Sequence, residues 1–441
     1  MIVHCRLAYL ACGLAIGSVA LAQDATSAAE AVQSENIDLS GDDKANPATK
    51  ALRTTLGHQG AYLVRGNKEV VNNRSWFRLE YSKFFLDSFY VQLDSKLNGF
   101  WKKDHRARAD KRSTLFETTT PEAFLQYSAA GGQTSVKVGI QKIIWGESEA
   151  GAITDEVSPR NYSELFLVPL EESRIGQMMV SVDHFTSYGD WSFFYVPKPK
   201  FNQYAAPRSA YDTYPFNGTV SIADEKTDAK DHEFGMRWKK TFGKSDISFM
   251  AASLIDNNYG VRVSGMNAAG DMELLRSKQR TRLAGVAFNY TRGHFLVKGE
   301  VGYKTPKDFA DMNGQLMDRD MVDSSLGVTY ALGQSNTIGL EAVNSHVRAW
   351  NDRIMGIPKN GNALVLNANF LFLNDNLSVN WLTIRSRPYS SVQSSLRTSY
   401  KWNDNTTFSI DAHLIDAQHV KSQLVTFRQR DQIVFRVQYQ F

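Results

Sequence analysis

The segment Gln432-Ile433-Val434-Phe435-Arg436-Val437-Gln438-Tyr439-Gln440-Phe441 decides how the rest of the chain is read. Side chains of an extended strand alternate between faces, so Ile433, Phe435, Val437, Tyr439 and Phe441 share one face. Gln432, Val434, Arg436, Gln438 and Gln440 share the other. A transmembrane barrel strand presents its apolar face to lipid and its polar face to the lumen. Phe435, Tyr439 and Phe441 are therefore expected to form the membrane-insertion signal, presented to the barrel-assembly machinery.

The same alternation recurs upstream. Phe295, Val297, Val301 and Tyr303 oppose Lys298 and Glu300, and Leu364, Leu366, Ala368, Phe370 and Phe372 oppose Asn367 and Asn369. Comparable runs begin near Phe77, Phe89, Ala123, Val136, Met178, Trp191, Phe234, Ile247, Ala284, Ser324, Ile338, Leu377, Leu396 and Phe408, which makes seventeen. Connections between them alternate in length. Short ones rich in turn residues lie at 129–133, 187–190, 243–245, 291–293, 333–335, 374–375 and 403–404. Long ones lie at 101–120, 142–176, 197–231, 256–279, 304–321 and 345–362. Tight periplasmic turns and long external loops are how bacterial outer-membrane barrels are strung.

If Phe441 ends on the periplasmic side, counting backward makes the Phe77 strand run downward. An upward strand must then precede it, and 60–65, with Tyr62 and Val64, supplies it. The expected fold is all-β: a transmembrane antiparallel β-barrel of 18 strands over 59–441, with 16 strands as the alternative count. Phe89, Tyr127, Trp191, Trp238, Tyr290, Phe295, Tyr330, Phe372, Tyr400 and Trp402 sit beside the short turns, as an interfacial aromatic girdle would. A soluble propeller or tandem of sandwiches also alternates, but leaves the short-long rhythm and the aromatic bias unexplained.

Composition agrees. Mean hydropathy is −0.35, yet aromatics make up 12% of the 441 residues, a combination that strands facing lipid on one side reconcile. A formal net charge of +4 is too small to imply nucleic acid. Residues 1–22 read as a signal peptide: Arg6, an apolar run from Leu7 to Val19, then Ala20-Leu21-Ala22 for cleavage. A lipidation site at Cys12 is the competing reading, but it puts the cysteine inside the apolar run. Both cysteines, Cys5 and Cys12, lie within this signal, so no disulfide or thiolate metal site is expected in the exported chain. Residues 23–58, rich in Ala, Asp and Ser, read as a flexible periplasmic extension. They are too few for the plug of an energy-coupled receptor. The expected location is the cell outer membrane, in contact with its lipid and lipopolysaccharide.

The most individual stretch runs Gly139-Ile140-Gln141-Lys142-Ile143-Ile144-Trp145-Gly146-Glu147 and continues through Asp155-Glu156-Val157-Ser158-Pro159-Arg160-Asn161. Its G-x-Q-x-x-x-W-G and D-x-x-x-P-R patterns resemble a family of proteobacterial outer-membrane barrels of unknown function. That family is similar in style to alginate-export and substrate-selective porins. The resemblance implies a segment that folds inward or caps the mouth, and a role in transport. Asn161 stands where the family more often has an acidic residue, so an ion pair there is not carried over.

The residues alone point the same way. A barrel of 16–18 strands leaves an aqueous channel unless a loop constricts it. The 142–176 loop carries Glu147, Glu149, Asp155, Glu156, Arg160, Glu171, Glu172 and Arg174, a charge set able to fix selectivity. Pore-constriction candidates are Gln141, Trp145, Glu147, Asp155, Arg160 and Arg174. The competing reading is that Trp145-Gly146 merely ends a strand and the charges face solvent. Lumen-lining candidates are Lys137, Asp183, Arg237, Lys298, Glu300, Arg397, Asp411 and Arg436, with Arg78, Glu80, Asp94, Lys96, Glu233, Lys239 and Glu341 beside them. Their mixed sign implies no strong anion or cation selectivity. The basic run Lys102-Lys103-Asp104-His105-Arg106, extended to Arg112, could meet lipopolysaccharide phosphates, attract an anionic substrate or simply be solvated.

Catalysis is not expected. Asn344-Ser345-His346, Asp183-His184 and Asp231-His232 place neighbouring residues on opposite strand faces, while Asp411 and His413 share a lumen face that a polar wall also explains. No cofactor or metal is expected; Asp256, Asn257 and Asn258 offer only a weak calcium pattern. The expectation is an outer-membrane channel for a small or hydrophobic substrate, with periplasmic and inner-membrane transport partners. The alternatives are a structural or adhesive barrel and, third, a hydrolase.

Overall fold

The computed structural model describes residues 52–441 except 67, 87, 102–113, 149–152, 165–167, 169, 206–210, 212–219, 226–229, 267–271 and 312. The signal peptide, most of the N-terminal extension and the basic run after Trp101 lie outside the described residues. Eighteen antiparallel strands form one closed sheet. In chain order they are Leu52–Leu63, Val70–Phe85, Phe89–Trp101, Thr114–Ser128, Thr134–Gln141, Gln177–Thr186, Gly189–Val196, Glu233–Phe242 and Ser245–Ile255. They continue with Arg280–Arg292, Phe295–Ala310, Leu316–Leu332, Asn336–Val347, Asn360–Phe372, Leu377–Arg387, Ser391–Lys401, Thr406–Ala417 and Gln432–Gln440. The last strand closes on the first with Leu56 opposite Tyr439 and Gly60 opposite Phe435. Closure removes the free edges that an open sheet would leave.

Burial is inverted relative to a soluble protein. Phe435, Ile410, Leu414, Leu340 and Val301 are exposed, while Glu300, Asp411, Lys96 and Glu341 are buried. Only a nonpolar solvent around the outer face makes that arrangement favourable, because burying a charge without partners costs several kcal/mol. Among the described residues no helix is long and apolar enough to cross a membrane. Aromatic rings expected near the short turns pair across neighbouring strands, as with Phe89 and Tyr127 at 5.1 Å and Phe295 and Tyr330 at 4.8 Å between centroids.

Each of the expected strands is present, with two differences in extent. The first strand, expected over 60–65 within a barrel beginning at 59, already begins at Leu52. Its outer face runs Leu52, Thr54, Leu56, His58, Gly60 and Tyr62, and His58 and Gly60 interrupt the apolar pattern there and hide the alternation. The expected 304–321 loop is instead a protruding hairpin: the flanking strands pair from Ala310 and Leu316 downward, with an irregularity between Lys304 and Lys307. Beyond the bilayer both faces meet water, so backbone pairing continues after the apolar alternation has stopped. Three other external connections carry structure of their own. Val220–Asp224, Met272–Ser277 and Gly260–Met266 form a three-stranded sheet outside the barrel, and Asn161–Tyr162 pairs in parallel with Gln203–Tyr204.

Candidate functional site

The fifth strand, Thr134–Gln141, has only eight residues, and at its end the chain leaves the wall and turns into the barrel. Gly139 permits this close packing: its φ is +139°, and a Cβ there would lie 2.3 Å from the Ala123 carbonyl oxygen. Gln141 faces inward, donating to the Met179 carbonyl at 3.1 Å and accepting from the Ser181 hydroxyl at 2.7 Å. The Ser158 hydroxyl accepts the Ile143 N–H at 2.8 Å and so folds the two arms of the loop together.

Trp145 is buried, edge-on to Phe194 with centroids 5.2 Å apart. It belongs to an apolar cluster with Val157, Met179, Val196, Met250, Leu254 and Leu283 that fills the lumen along this wall. Its backbone N–H points at Asp155 Oδ1, 3.3 Å away. The other oxygen of Asp155 accepts Arg160 Nη2 at 2.9 Å and Arg174 Nε and Nη2 at 2.8 and 2.6 Å. Two guanidinium groups on one buried carboxylate form charge-assisted bonds of the stronger kind. Pro159 offers its carbonyl to the Ile175 N–H at 2.7 Å, and the Arg160 N–H donates to Asn202 Oδ1 at 2.6 Å. The spaced Trp-Gly, Asp and Pro-Arg elements thus meet in one knot. Burial, with Arg174 adding to it, pushes Arg160 down to about 10, so it remains a cation at neutral pH. Burial likewise pushes Tyr162 up to about 12.

From the knot the loop reaches both walls. On the eleventh strand, Glu300 Oε1 accepts the Glu147 N–H at 3.1 Å and the Thr154 hydroxyl at 2.5 Å. On the thirteenth, Glu341 accepts the Ser148 hydroxyl at 2.5 Å. Ile153 packs against Val343, Val365, Leu382 and Ile384. Glu156 pairs with Lys304. Burial alone would raise the Glu156 carboxyl, but Lys304 and Lys307 outweigh it and hold it below the ordinary range. On the second strand, Glu164 pairs with Arg74 at 2.9 Å and accepts from Asn72. On the third, Lys96 pairs with Glu172. Burial again opposes, yet Lys96 and Arg74 push Glu172 down to about 2. The second and eleventh strands are nine apart in a ring of eighteen, which is half the circumference. The 142–176 segment therefore crosses the lumen from wall to opposite wall.

The other candidates lie on the inner face. Lys137 is 3.7 Å from Asp183, Arg78 2.8 Å from Asp94, Lys239 3.5 Å from Asp246, and Arg436 3.6 Å from Asp411. Arg397 and Lys298 are buried there as well, and Arg237 is partly buried. Glu147 is raised by burial, which Lys239, Lys298 and Arg237 counter in part. It is the knot-side carboxylate that faces the basic side chains of the eighth to eleventh strands. Asn161 makes a local turn, its Oδ1 accepting the Ser163 N–H at 3.0 Å. Asp256 pairs with Lys307 at 2.9 Å, Asn257 donates to the Glu156 carbonyl at 2.7 Å, and Asn258 accepts from Asn202 and Tyr204. His184 bonds Thr134 while Asp183 takes the Ser192 hydroxyl, so that acid and histidine diverge. The sequence pattern did not single out Asn202, Glu164, Gly285 or Gly302. A signal did exist for the glycines: register pairs Gly285 with Gly302, both facing inward. A Cβ on them would lie 2.4 Å from Thr154 Cγ2 and 2.7 Å from the Ile153 carbonyl oxygen.

Among solved structures, the chain is similar in fold to Acinetobacter baumannii OccAB4 and OccAB3, each with a TM-score of 0.51. Identity is 11% and 9%, over 88% of this chain and 97% and 98% of theirs. The fold is that of a porin-like outer-membrane barrel. No curated protein sequence matches the chain. Residues 71–423 match the family described as protein of unknown function DUF1302, and the chain belongs to that family.

Proposed function

We propose that this protein is an outer-membrane channel passing a small or hydrophobic substrate, narrowed by the 142–176 loop. The observation that carries this reading is the span of that loop, tied to Arg74 on one wall and to Glu300 on the opposite one. A loop fixed across an aqueous barrel sets the size and charge of what passes. Gln141, Trp145, Asp155, Arg160 and Arg174 then hold the constriction, and Glu147 is its charged face. Lys137, Asp183, Arg237, Lys298, Glu300, Arg397, Asp411 and Arg436 form the wall around it. Lipopolysaccharide outside, the assembly machinery during insertion, and periplasmic or inner-membrane transport components are the partners this reading needs.

A structural or adhesive barrel is the second reading. It is favoured by the depth at which Asp411, Lys96 and Glu300 are buried and by a further apolar cluster of Tyr162, Tyr211, Leu424 and Phe427 inside the mouth. Reconstitution into planar lipid bilayers separates the two. Stepwise conductance that rises on deletion of 151–174 supports the channel. Silence of both the intact and the deleted protein overturns it.

A further inference from the structure

The connection from Leu377–Arg387 to Ser391–Lys401 has only three residues, whereas its neighbours, 348–359 and 418–431, are long. The rim is therefore low at this point, and a cavity of about 80 Å³ opens between the wall and the two flanking loops. Ile384 and Gln393, both inward-facing and buried, make its floor. Ser391 lines the side, and Arg387, Tyr389 and Lys421 stand at its lip. Tyr389 stacks on His419 at 5.0 Å between centroids, and the Lys421 ammonium lies 5.8 Å from the Tyr389 ring centre. A cation over an aromatic face is held there by the ring quadrupole.

The charge balance of this cavity differs from that of the inner wall. Lower down, cations carry acidic partners: Arg78 has Asp94, Lys137 has Asp183, Lys304 has Asp323 and Arg436 has Asp411. Two cations stand at the lip, Lys421 on the flanking loop and exposed Arg387 at the strand end, and the described lining residues include no Asp or Glu. Neither Arg387 nor Lys421 has an acidic partner among the described residues. A guanidinium and an ammonium left without counter-charge beside serine hydroxyls are complementary to an anionic head group. The volume suits a head group of a few heavy atoms with a short apolar part over Ile384, since one water needs roughly 10–15 Å³ on this kind of measure.

We propose that this cavity is an anion-binding site at the outer mouth, taking small organic anions bearing a carboxylate or a phosphate. The proposal rests on the channel reading only for its role as a capture site; binding itself does not require conduction.

The test uses the full-length protein in detergent and the double variant Arg387→Gln, Lys421→Gln. Both substitutions lie at the exposed lip, and heat-modifiable gel migration verifies that the barrel has folded. Calorimetry with acetate, glycerol 3-phosphate and neutral glycerol is expected to show the two anions binding and glycerol not. Affinity should fall at least tenfold in the double variant and weaken with added salt. Preference for one anion assigns the head group. Absence of anion binding to the intact protein, or equal binding by the folded double variant, overturns the site. Bilayer recordings separate this from the channel reading. Anion binding without conductance leaves the site and removes the channel; conductance without anion binding does the reverse.

Discussion

Arg174 donates both Nε and Nη2 to a single oxygen of Asp155, at 2.8 and 2.6 Å, and Arg160 shares that oxygen at 2.9 Å. Both guanidinium groups are buried, so loss of the carboxylate strands two cations together. Breaking a buried pair in this way costs about 3–5 kcal/mol. Asp155→Ala is expected to release the 142–176 loop from its knot while the barrel stays closed. Single-channel conductance should rise, and limited proteolysis should cut within the loop. Unchanged conductance together with unchanged protease resistance would show that the other anchors suffice.

Gly302 carries no Cβ where the Ile153 carbonyl oxygen would lie 2.7 Å from it. Gly302→Val is expected to push the loop off the eleventh strand, at a cost of about 1–3 kcal/mol typical of overpacking. Gly60, on the outer face, is the matched control, because a Cβ added there would meet nothing within 4 Å. Conductance and loop protection should change in Gly302→Val and not in Gly60→Val. Equal behaviour of the two would sink the assignment of Gly302 as a loop seat.

The strands were legible because period-two alternation is local and the lipid enforces it at each outward position. Where lipid ends, legibility ends too, as at Lys304 to Met321, where pairing outlasts the apolar pattern. Asp155, Arg160 and Arg174 could be picked out as a charged set, but their separations of five and nineteen positions say nothing about a shared oxygen. Glu164 and Glu172 were harder still. In sequence they look like solvated acids, and only the closed ring brings Arg74 and Lys96 to them. The inward glycines were readable in principle, since a wall position without a side chain suggests close backbone approach.

Closure of the barrel depends on the register of the last strand, and the Phe441 N–H donates to the Thr54 carbonyl at 2.9 Å. Tyr439 meets Phe441 edge-on at 4.9 Å, so the end of the strand is an aromatic pair facing outward. Deleting Phe441 is expected to lower the fraction of heat-modifiable, folded protein recovered from membranes. Loss of the bond between first and last strands is the cause. Phe441→Tyr, which keeps the ring and the backbone bond, should be close to the intact protein. A full yield from the deletion would show that closure does not need this bond.

Glu147 and Glu172, at the two ends of the crossing loop, should respond to acid in opposite senses. Burial raises Glu147, so its neutral form persists to higher pH in the folded loop than in the unfolded chain. Whatever it contributes to loop stability is complete below its unfolded value, near 4.3, and lost as pH rises through the raised folded one. Glu172, pushed down to about 2 by Lys96 and Arg74 against its burial, contributes stability that is complete above the unfolded value. That contribution is lost only as pH falls toward about 2. On acidification from neutral, Glu147 therefore loses its charge first while the Lys96 anchor still holds. Lys239, Lys298 and Arg237 are then left with less negative charge facing them, and the channel should shift toward anions. Reversal potentials in a potassium chloride gradient between pH 7 and pH 4 measure this shift. Glu147→Gln should start at the anion-preferring end and stay flat across that range; a variant that still tracks pH like the intact protein would assign the titration to another group.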